Sequence, residues 1–177
     1  HVVLPQKGHL KPGMFAVGGD SHSPTGGAFG AYMFGIGATE MLGVVVTGEI
    51  WLRVPDTLLM RWNGRLAPGV TAKDIMLFLC AKFGMDGGRY QAVEFAGSAI
   101  SALSMQERIT LANMTAELGG QVGLVSPDEV TAAWLAKVKA PYKRAVWFEN
   151  SSHLVQFEEP GKTLVSLLEY VRPLAKE

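Results

Sequence analysis

The stretch from Val17 to Gly37, VGGDSHSPTGGAFGAYMFGIG, constrains the fold of this chain more than any other segment. It holds seven glycines, which let a backbone approach other groups closely and expose peptide N–H groups toward an anion. The apolar run Met14–Val17 leads into it and is predicted to be a buried strand. The stretch is not a P-loop, because no Gly-Lys-Ser/Thr closes it, and it lacks a well-formed GxGxxG. We therefore expect a strand that ends in a tight, polar, glycine-rich loop.

Four further segments are predicted to be helices. They are the apolar segment Ala38–Leu52 and the segments that begin at Thr71, Ser104 and Ser126. In the last three, a Ser or Thr is followed three residues later by Asp or Glu, which is the capping-box pattern of a helix start. Gly84 and Gly119 are expected to end the helices that begin at Thr71 and Ser104, because glycine readily adopts the left-handed conformation of a C-cap.

Two strand signals lie between these helices. Tyr90–Phe95 is apolar and aromatic and is predicted to be a strand. Asn63-Gly64 lies within an alternating segment and predicts a β-hairpin, because both residues tolerate positive φ. Since strands and helices alternate along the chain, the sequence predicts an α/β fold.

The composition restricts the classes of partner. Sixteen basic and sixteen acidic residues cancel, and they form no cluster, so we expect neither a nucleic-acid nor a membrane partner. We find no apolar run long enough to span a bilayer and expect no signal peptide. The one cysteine, Cys80, fits a reducing compartment and cannot by itself build a cysteine-rich metal site. We therefore expect a cytoplasmic protein, with Cys80 as a small buried apolar residue.

Asp20, Ser21 and His22 stand side by side in the glycine-rich stretch. If the preceding strand ends at Gly19, these polar side chains lie at its carboxyl end, where open α/β sheets bind ligands. Asp and Ser in such turns are also common structural devices, since their side chains hydrogen-bond to the local backbone. The residues alone leave both interpretations open, an active-site corner or a polar turn.

Asn113 and Glu117 form a second candidate group. They are four residues apart in the helix predicted to begin at Ser104, and hence lie on one face of it. A Glu beside a buried helix face must be paired or hydrogen-bonded, or its pKa rises. The alternative is an ordinary Glu at the exposed edge of the helix.

The C-terminal part of the chain differs in character from the rest. We predict one domain over residues 1–136 and a separate segment over residues 137–177, with a strand at Arg144–Phe148 and a helix after Pro160. His153 follows that strand in a polar loop, a suitable place for a general base. A lone histidine in a loop is more often simply polar.

Three long segments resemble one protein family. PGMFAVGGDSHSPTGGAFGAYMFGIGATE, NGRLAPGVTAKDIMLFL and VEFAGSAISALSMQERITLANMTAELGGQVGLVSPDE are similar to the large subunit of 3-isopropylmalate dehydratase and its aconitase and homoaconitase relatives. The resemblance runs from His1 to about Leu135. It implies a fragment of a three-layer aconitase-like α/β domain, to which the C-terminal strand, loop and helix are added. It also implies a place in leucine biosynthesis and a hydro-lyase that dehydrates and rehydrates small hydroxy di- or tricarboxylates with a [4Fe–4S] cluster.

The resemblance also implies roles for individual residues. His1 matches a catalytic histidine that pairs with the aspartate matched by Asp20. Glu117 matches a carboxylate that pairs with the histidine matched by His22. Ser21 matches a substrate-binding serine. Asn113 matches a polar residue that lies close to the cluster, and we assign it a substrate-binding role as well. The two candidate groups would then form one site.

Several parts of the family's active site have no counterpart in this chain. The three cysteines that bind the cluster are absent, as are the serine base and the arginines that bind substrate carboxylates. We therefore expect a partial site, no cluster bound by this chain alone, no turnover, and a small swivel-domain subunit as a possible partner. The alternative is a non-catalytic carboxylate-binding or scaffold module.

The last forty or so residues resemble a different family, the C-terminal end of an α/β-hydrolase of the proline-iminopeptidase type. That resemblance places His153 as the base of a catalytic triad. The chain contains no G-x-S-x-G motif for a nucleophile, and a base without its nucleophile is not a hydrolase. The two resemblances together favour a fragment, a fusion or a composite chain.

Overall fold

A computed structural model of the protein describes residues 1–138. The predicted strand at Arg144–Phe148, the helix after Pro160 and nearly all of the segment 137–177 lie outside this range. The elements follow in the order α1 Val3–Gln6, β1 Phe15–Gly18, a 3-10 helix Ser23–Phe29, β2 Tyr32–Gly35, α2 Ala38–Thr47, β3 Thr57–Arg61, α3 Ala72–Phe83, β4 Ala92–Ala96, α4 Ser98–Ser101, α5 Met105–Asn113, β5 Val122–Val125 and α6 Glu129–Lys137.

The strands of the described residues form two parallel sheets. In the first, β1 pairs with β2, and Phe15 lies opposite Tyr32. In the second, the order is β3-β4-β5, with Ala92 opposite both Thr57 and Val122. Parallel neighbours require a crossover, which the intervening helices provide. The predicted α/β class is confirmed.

Apolar side chains of β2 and β5 join the two sheets. Tyr32, Phe34, Val122 and Leu124 pack in one buried cluster. The Tyr32 hydroxyl donates a hydrogen bond of 2.5 Å to Oε1 of Gln121. Burial, with a contribution from Tyr90, raises the pKa of Tyr32 to about 12, so this hydroxyl keeps its proton and remains a donor at neutral pH.

The 3-10 helix lies directly against the end of β5 because of one glycine. A methyl group on Gly27 would lie 1.8 Å from the carbonyl oxygen of Gly123, closer than any real side chain can approach. The chain then leaves this helix through Gly30, which has a φ of 73°. The glycines of the stretch first noted in the sequence are therefore needed for packing as well as for the turn.

The hairpin predicted at Asn63-Gly64 is wrong. Gly64 does adopt a positive φ of 98°, but the strand before it, β3, pairs in parallel with β4. Trp62 N–H donates to the carbonyl oxygen of Ala96, and Gly64 N–H donates to Oγ of Ser98. The turn residues are therefore bound to the segment that follows β4 and cannot lead into an adjacent antiparallel strand.

Two of the predicted helices end early. Helix α2 stops at Thr47 rather than Leu52, because Gly48 has a φ of 74° and caps it. Helix α5 stops at Asn113 rather than near Gly119. After it, backbone bonds join residues three apart, as from Glu117 N–H to the carbonyl oxygen of Met114. The placement of Asn113 and Glu117 on one helix face is therefore wrong, because tight turns separate them.

The capping signals are correct at two helix starts and displaced at the third. Thr71 with Asp74 and Ser104 with Glu107 form capping boxes, as predicted. Helix α6 is capped by Asp128 instead of Ser126. Oδ1 of Asp128 accepts hydrogen bonds from the N–H groups of Val130 and Thr131, so a carboxylate caps the helix in place of the serine two residues earlier.

Asp128 also pairs with a completely buried arginine. Arg108 of α5 is 0 % exposed, and its two terminal nitrogens donate to the Asp128 carboxylate at 2.6 and 2.7 Å. Its remaining contacts are the carbonyl oxygens of Leu103 and Ser101. A buried guanidinium without this carboxylate would be an uncompensated charge.

We expect Asp128→Ala to destabilise the protein strongly. The change removes the charge partner of Arg108 and the cap of α6 together, and should lower the free energy of unfolding by about 2–3 kcal/mol. Glu129→Ala removes an exposed acidic residue at the next position and should cost no more than about 0.5 kcal/mol. Urea unfolding of both variants measures the difference, and equal losses would contradict this account of Arg108.

The same pair should give the protein an acid-sensitive component of stability. Burial acts to raise the pKa of Asp128, but Arg108 and the backbone N–H groups outweigh it and leave this pKa lowered. A lowered folded-state pKa adds stability above the unfolded carboxyl value of about 4, and that stability is lost as pH falls through the folded value. The gap in unfolding free energy between wild type and Asp128→Asn should therefore narrow between about pH 5 and pH 3. A constant gap would contradict the assignment.

Candidate functional site

Asp20, Ser21 and His22 follow directly on strand β1, as the sequence predicted. β1 ends at Gly18, so the three polar side chains lie at its carboxyl end. The end of β2 lies next to them, because a methyl group on Gly35 would be 2.5 Å from the carbonyl oxygen of Asp20. A larger residue at Gly35 would displace the loop that carries the candidate residues.

His1 and Asp20 form the first histidine–carboxylate pair. Nδ1 of His1 lies 3.0 Å from each oxygen of the Asp20 carboxylate. Oδ1 of the same carboxylate also accepts a bond of 2.7 Å from the backbone N–H of His22. Asp20 therefore connects the chain terminus to the second histidine of the site.

His22 and Glu117 form the second pair, across a sequence separation of 95 residues. Nε2 of His22 lies 2.9 Å from Oε1 of Glu117, and because a carboxylate only accepts, Nε2 carries the proton. The other ring nitrogen, Nδ1, lies 2.9 Å from Oγ of Ser21. Both nitrogens of the imidazole are thus occupied, which fixes the orientation of the ring.

The two pairs belong to one site. The ring centroids of His1 and His22 are 6.0 Å apart, and all four partners are about one-third to one-half exposed. Oε2 of Glu117 is buried and has no hydrogen-bond partner among the described residues. The arrangement presents two oriented imidazoles and a carboxylate oxygen that can still accept a hydrogen bond.

Asn113 reaches the site through a residue that the sequence analysis missed. Its Nδ2 donates to Oγ1 of Thr25 at 3.0 Å, and Thr25 Oγ1 donates to the carbonyl oxygen of His22 at 2.7 Å. A threonine three residues after a candidate histidine is a recognisable signal, because its hydroxyl commonly bonds back to the local backbone.

Comparison with known proteins identifies the family of this chain. The sequence model of the aconitase family (aconitate hydratase) matches residues 1–163, most of the chain. The chain belongs to the aconitase family. The residues that form the two pairs all lie inside the matched range, and the predicted family is confirmed.

Individual relatives are similar over most of this chain but over much less of their own length. A probable 3-isopropylmalate dehydratase large subunit of Methanosarcina mazei is 48 % identical over 76 % of this chain and 32 % of the relative. A probable methanogen homoaconitase large subunit of the same organism is 46 % identical over 89 % and 40 %. A 3-isopropylmalate dehydratase large subunit of Halothermothrix orenii is 37 % identical over 100 % and 44 %. This aconitase-family chain thus spans between 32 % and 44 % of the length of these curated relatives.

The second resemblance, to an α/β-hydrolase, receives no support. The aconitase-family match continues to residue 163, past His153, and the relative from Halothermothrix orenii aligns with the whole chain. His153 itself lies outside the described residues. Within residues 1–138, no helix is long and apolar enough to cross a membrane.

Cys80 lies in α3 and is only partly buried, packed against the largest apolar cluster. Burial, and secondarily the charge of Glu117, raises the pKa of its thiol, so it is a weak nucleophile at neutral pH. No group of three or more His, Cys, Asp or Glu side chains among the described residues is arranged to hold a metal ion. In this part of the aconitase-family chain, His1 and His22 pair with carboxylates instead.

We expect both histidine–carboxylate pairs to contribute little to stability. Their side chains are 31–46 % exposed, and exposed ion pairs are worth about 0–1 kcal/mol. Asp20→Asn and Glu117→Gln should each lower the free energy of unfolding by less than about 1 kcal/mol, well below the loss expected for Asp128→Ala. Chemical denaturation measures this, and a loss as large as that of Asp128→Ala would identify the pairs as structural.

Proposed function

We propose that this chain forms one wall of the active site of a hydro-lyase of the aconitase and 3-isopropylmalate dehydratase type. The reaction would dehydrate and rehydrate small hydroxy di- or tricarboxylates. The observation that carries the proposal is the coexistence of the pairs His1–Asp20 and His22–Glu117 within one loop region. A polar turn would need neither the second carboxylate nor a partner 95 residues away.

The two histidine–carboxylate pairs are suited to bind the hydroxyl group and the carboxylate of a ligand. A carboxylate that holds one nitrogen of an imidazole fixes its tautomer and leaves the ring in a defined orientation toward a ligand. Glu117 Oε2 has no partner among the described residues, and it can accept a hydrogen bond from a substrate hydroxyl or from water. His1, whose Nδ1 is held by Asp20, keeps Nε2 for a ligand oxygen.

The family resemblance implies a [4Fe–4S] cluster, and the residues of this chain do not fit that group as ligands. Such a cluster is held by several cysteine thiolates, and the sequence has one cysteine. Cys80 lies within a helix and has a raised pKa, whereas a ligand thiol must be deprotonated. We therefore assign no catalytic step of this chain to a cluster.

The remaining parts of the site would come from outside the matched third of the relatives. Those relatives are named large subunits, which supports a small subunit as partner of the complete enzyme. The serine base and the substrate-binding arginines implied by the resemblance have no counterpart here. We therefore propose that this chain alone binds hydroxy acids without converting them. We propose the cytoplasm as the place of this function.

Ligand binding and turnover test this proposal separately. Calorimetric titration with isopropylmalate, citrate and related di- and tricarboxylates should show binding that His22→Gln weakens about tenfold, because the change removes the imidazole that orients Ser21 and Glu117 at the site. The matched control is His9→Gln, an exposed histidine outside the site, which should bind as wild type does.

Three results would contradict it. The absence of heat with every carboxylate would remove the binding function. Equal binding by wild type and His22→Gln would place the ligand elsewhere and favour a non-catalytic carboxylate-binding or scaffold module. Dehydration of isopropylmalate or citrate by the purified, iron-reconstituted chain would overturn the proposed lack of turnover.

A further inference from the structure

We propose that Thr25 and Asn113 are positioning residues that hold the imidazole of His22 against Glu117. The catalytic relevance of this support rests on the function proposed above, whereas the mechanical role stands on the geometry alone. The proposal rests on a continuous chain of hydrogen bonds, which runs from the side chain of Asn113 through the Thr25 hydroxyl to the His22 carbonyl oxygen.

The backbone of His22 is held from both sides by hydrogen bonds. Its φ of −99° and ψ of 15° are those of the third residue of a type I turn, in which the backbone N–H of Ser23 donates to the carbonyl oxygen of Asp20 at 3.2 Å. The backbone N–H is held by Asp20 at 2.7 Å. The carbonyl oxygen is held twice by Thr25, by the backbone N–H at 3.1 Å and by the hydroxyl at 2.7 Å. These bonds fix the dihedral angles from which the imidazole projects.

The direction of each bond follows from the chemistry of the three groups. A carbonyl oxygen only accepts, so the single hydroxyl proton of Thr25 is used for His22. The lone pair that remains on Oγ1 must accept, and therefore the Asn113 amide presents Nδ2. Thr25 is 3 % exposed, so water does not readily replace either bond. Asn113, expected from the sequence to contact substrate, thus has one donor committed to this support.

Two parallel bridges result between the same pair of elements. Asn113 is the last residue of α5 and binds Thr25 in the 3-10 helix. Glu117, in the turn after α5, binds the His22 side chain just before the 3-10 helix. Removing the first bridge leaves the His22 carbonyl oxygen with the backbone N–H of Thr25 as its remaining donor, while His22 and Glu117 keep the groups that form the second bridge. The imidazole would then sample orientations away from Glu117.

NMR of the two imidazoles tests this, with His1 as an internal control. In ¹⁵N-labelled full chain, the ring ¹⁵N shifts of His22 and the exchange of its Nε2 proton with water report on the bond to Glu117. Thr25→Val removes the hydroxyl at nearly constant volume. It should move both ring shifts of His22 and speed the exchange several-fold, while the signals of His1 stay in place. Thr25→Ser, which keeps the hydroxyl, should restore the wild-type signals.

Two further variants complete the test. Asn113→Asp, at a partly exposed position, cannot donate when ionised and should reproduce the effect of Thr25→Val even if the latter folds poorly. Thr110→Val removes a hydroxyl that bonds only within α5 and should change neither histidine. Unchanged His22 signals in Asn113→Asp would overturn the proposal, as would equal changes at His1 and His22. No ligand is present in this experiment, so a failure of carboxylate binding would reject the proposed function without affecting this result.

Discussion

The buried guanidinium of Arg108 fixes the elements on which the site depends. Four of its five N–H donors bind the Asp128 carboxylate and the carbonyl oxygens of Ser101 and Leu103. It therefore joins α5 to the start of α6 and to the end of α4. Because replacing one partner would leave a charge without compensation in the interior, α5 has little freedom to slide or rotate.

The position of α5 in turn decides where the candidate site can form. Its C-terminal residue Asn113 and the following turn with Glu117 face the loop after β1, which is held close by the approach of Gly27 to Gly123. The two hydrogen-bonded bridges to Thr25 and His22 then form across the gap. Stability resides in the buried arginine and the apolar clusters, whereas the half-exposed histidine pairs are available for chemistry.

Membership in the aconitase family and the geometry of the site both support the proposed hydro-lyase function. The family match is the basis of the reaction class that we propose. The distances show that His1 and His22 each meet a carboxylate, in a chain that spans only about a third to two fifths of the length of two relatives. Two histidine–carboxylate contacts in a chain with one cysteine are the reason we propose ligand binding without turnover.

The sequence by itself determined the local features of this protein. Caps at Thr71 and Ser104, the strand before Asp20 and the α/β alternation follow from short-range chemistry, so they could be predicted. The pairs His1–Asp20 and His22–Glu117 were predicted only through the family resemblance, since no spacing rule brings together residues 95 apart. The hairpin at Asn63-Gly64 was predicted wrongly, because Gly64 bonds to the segment after β4. The length of α5 was predicted wrongly, because hydrogen bonds between residues three apart replace the helical pattern after Asn113. Only the tertiary structure decided that Asp128 caps α6 while neutralising Arg108, and that Thr25 links Asn113 to His22. The cap itself is local, but Arg108 and Asp128 are 20 residues apart and Thr25 and Asn113 are 88 apart, and local propensity does not encode such pairings.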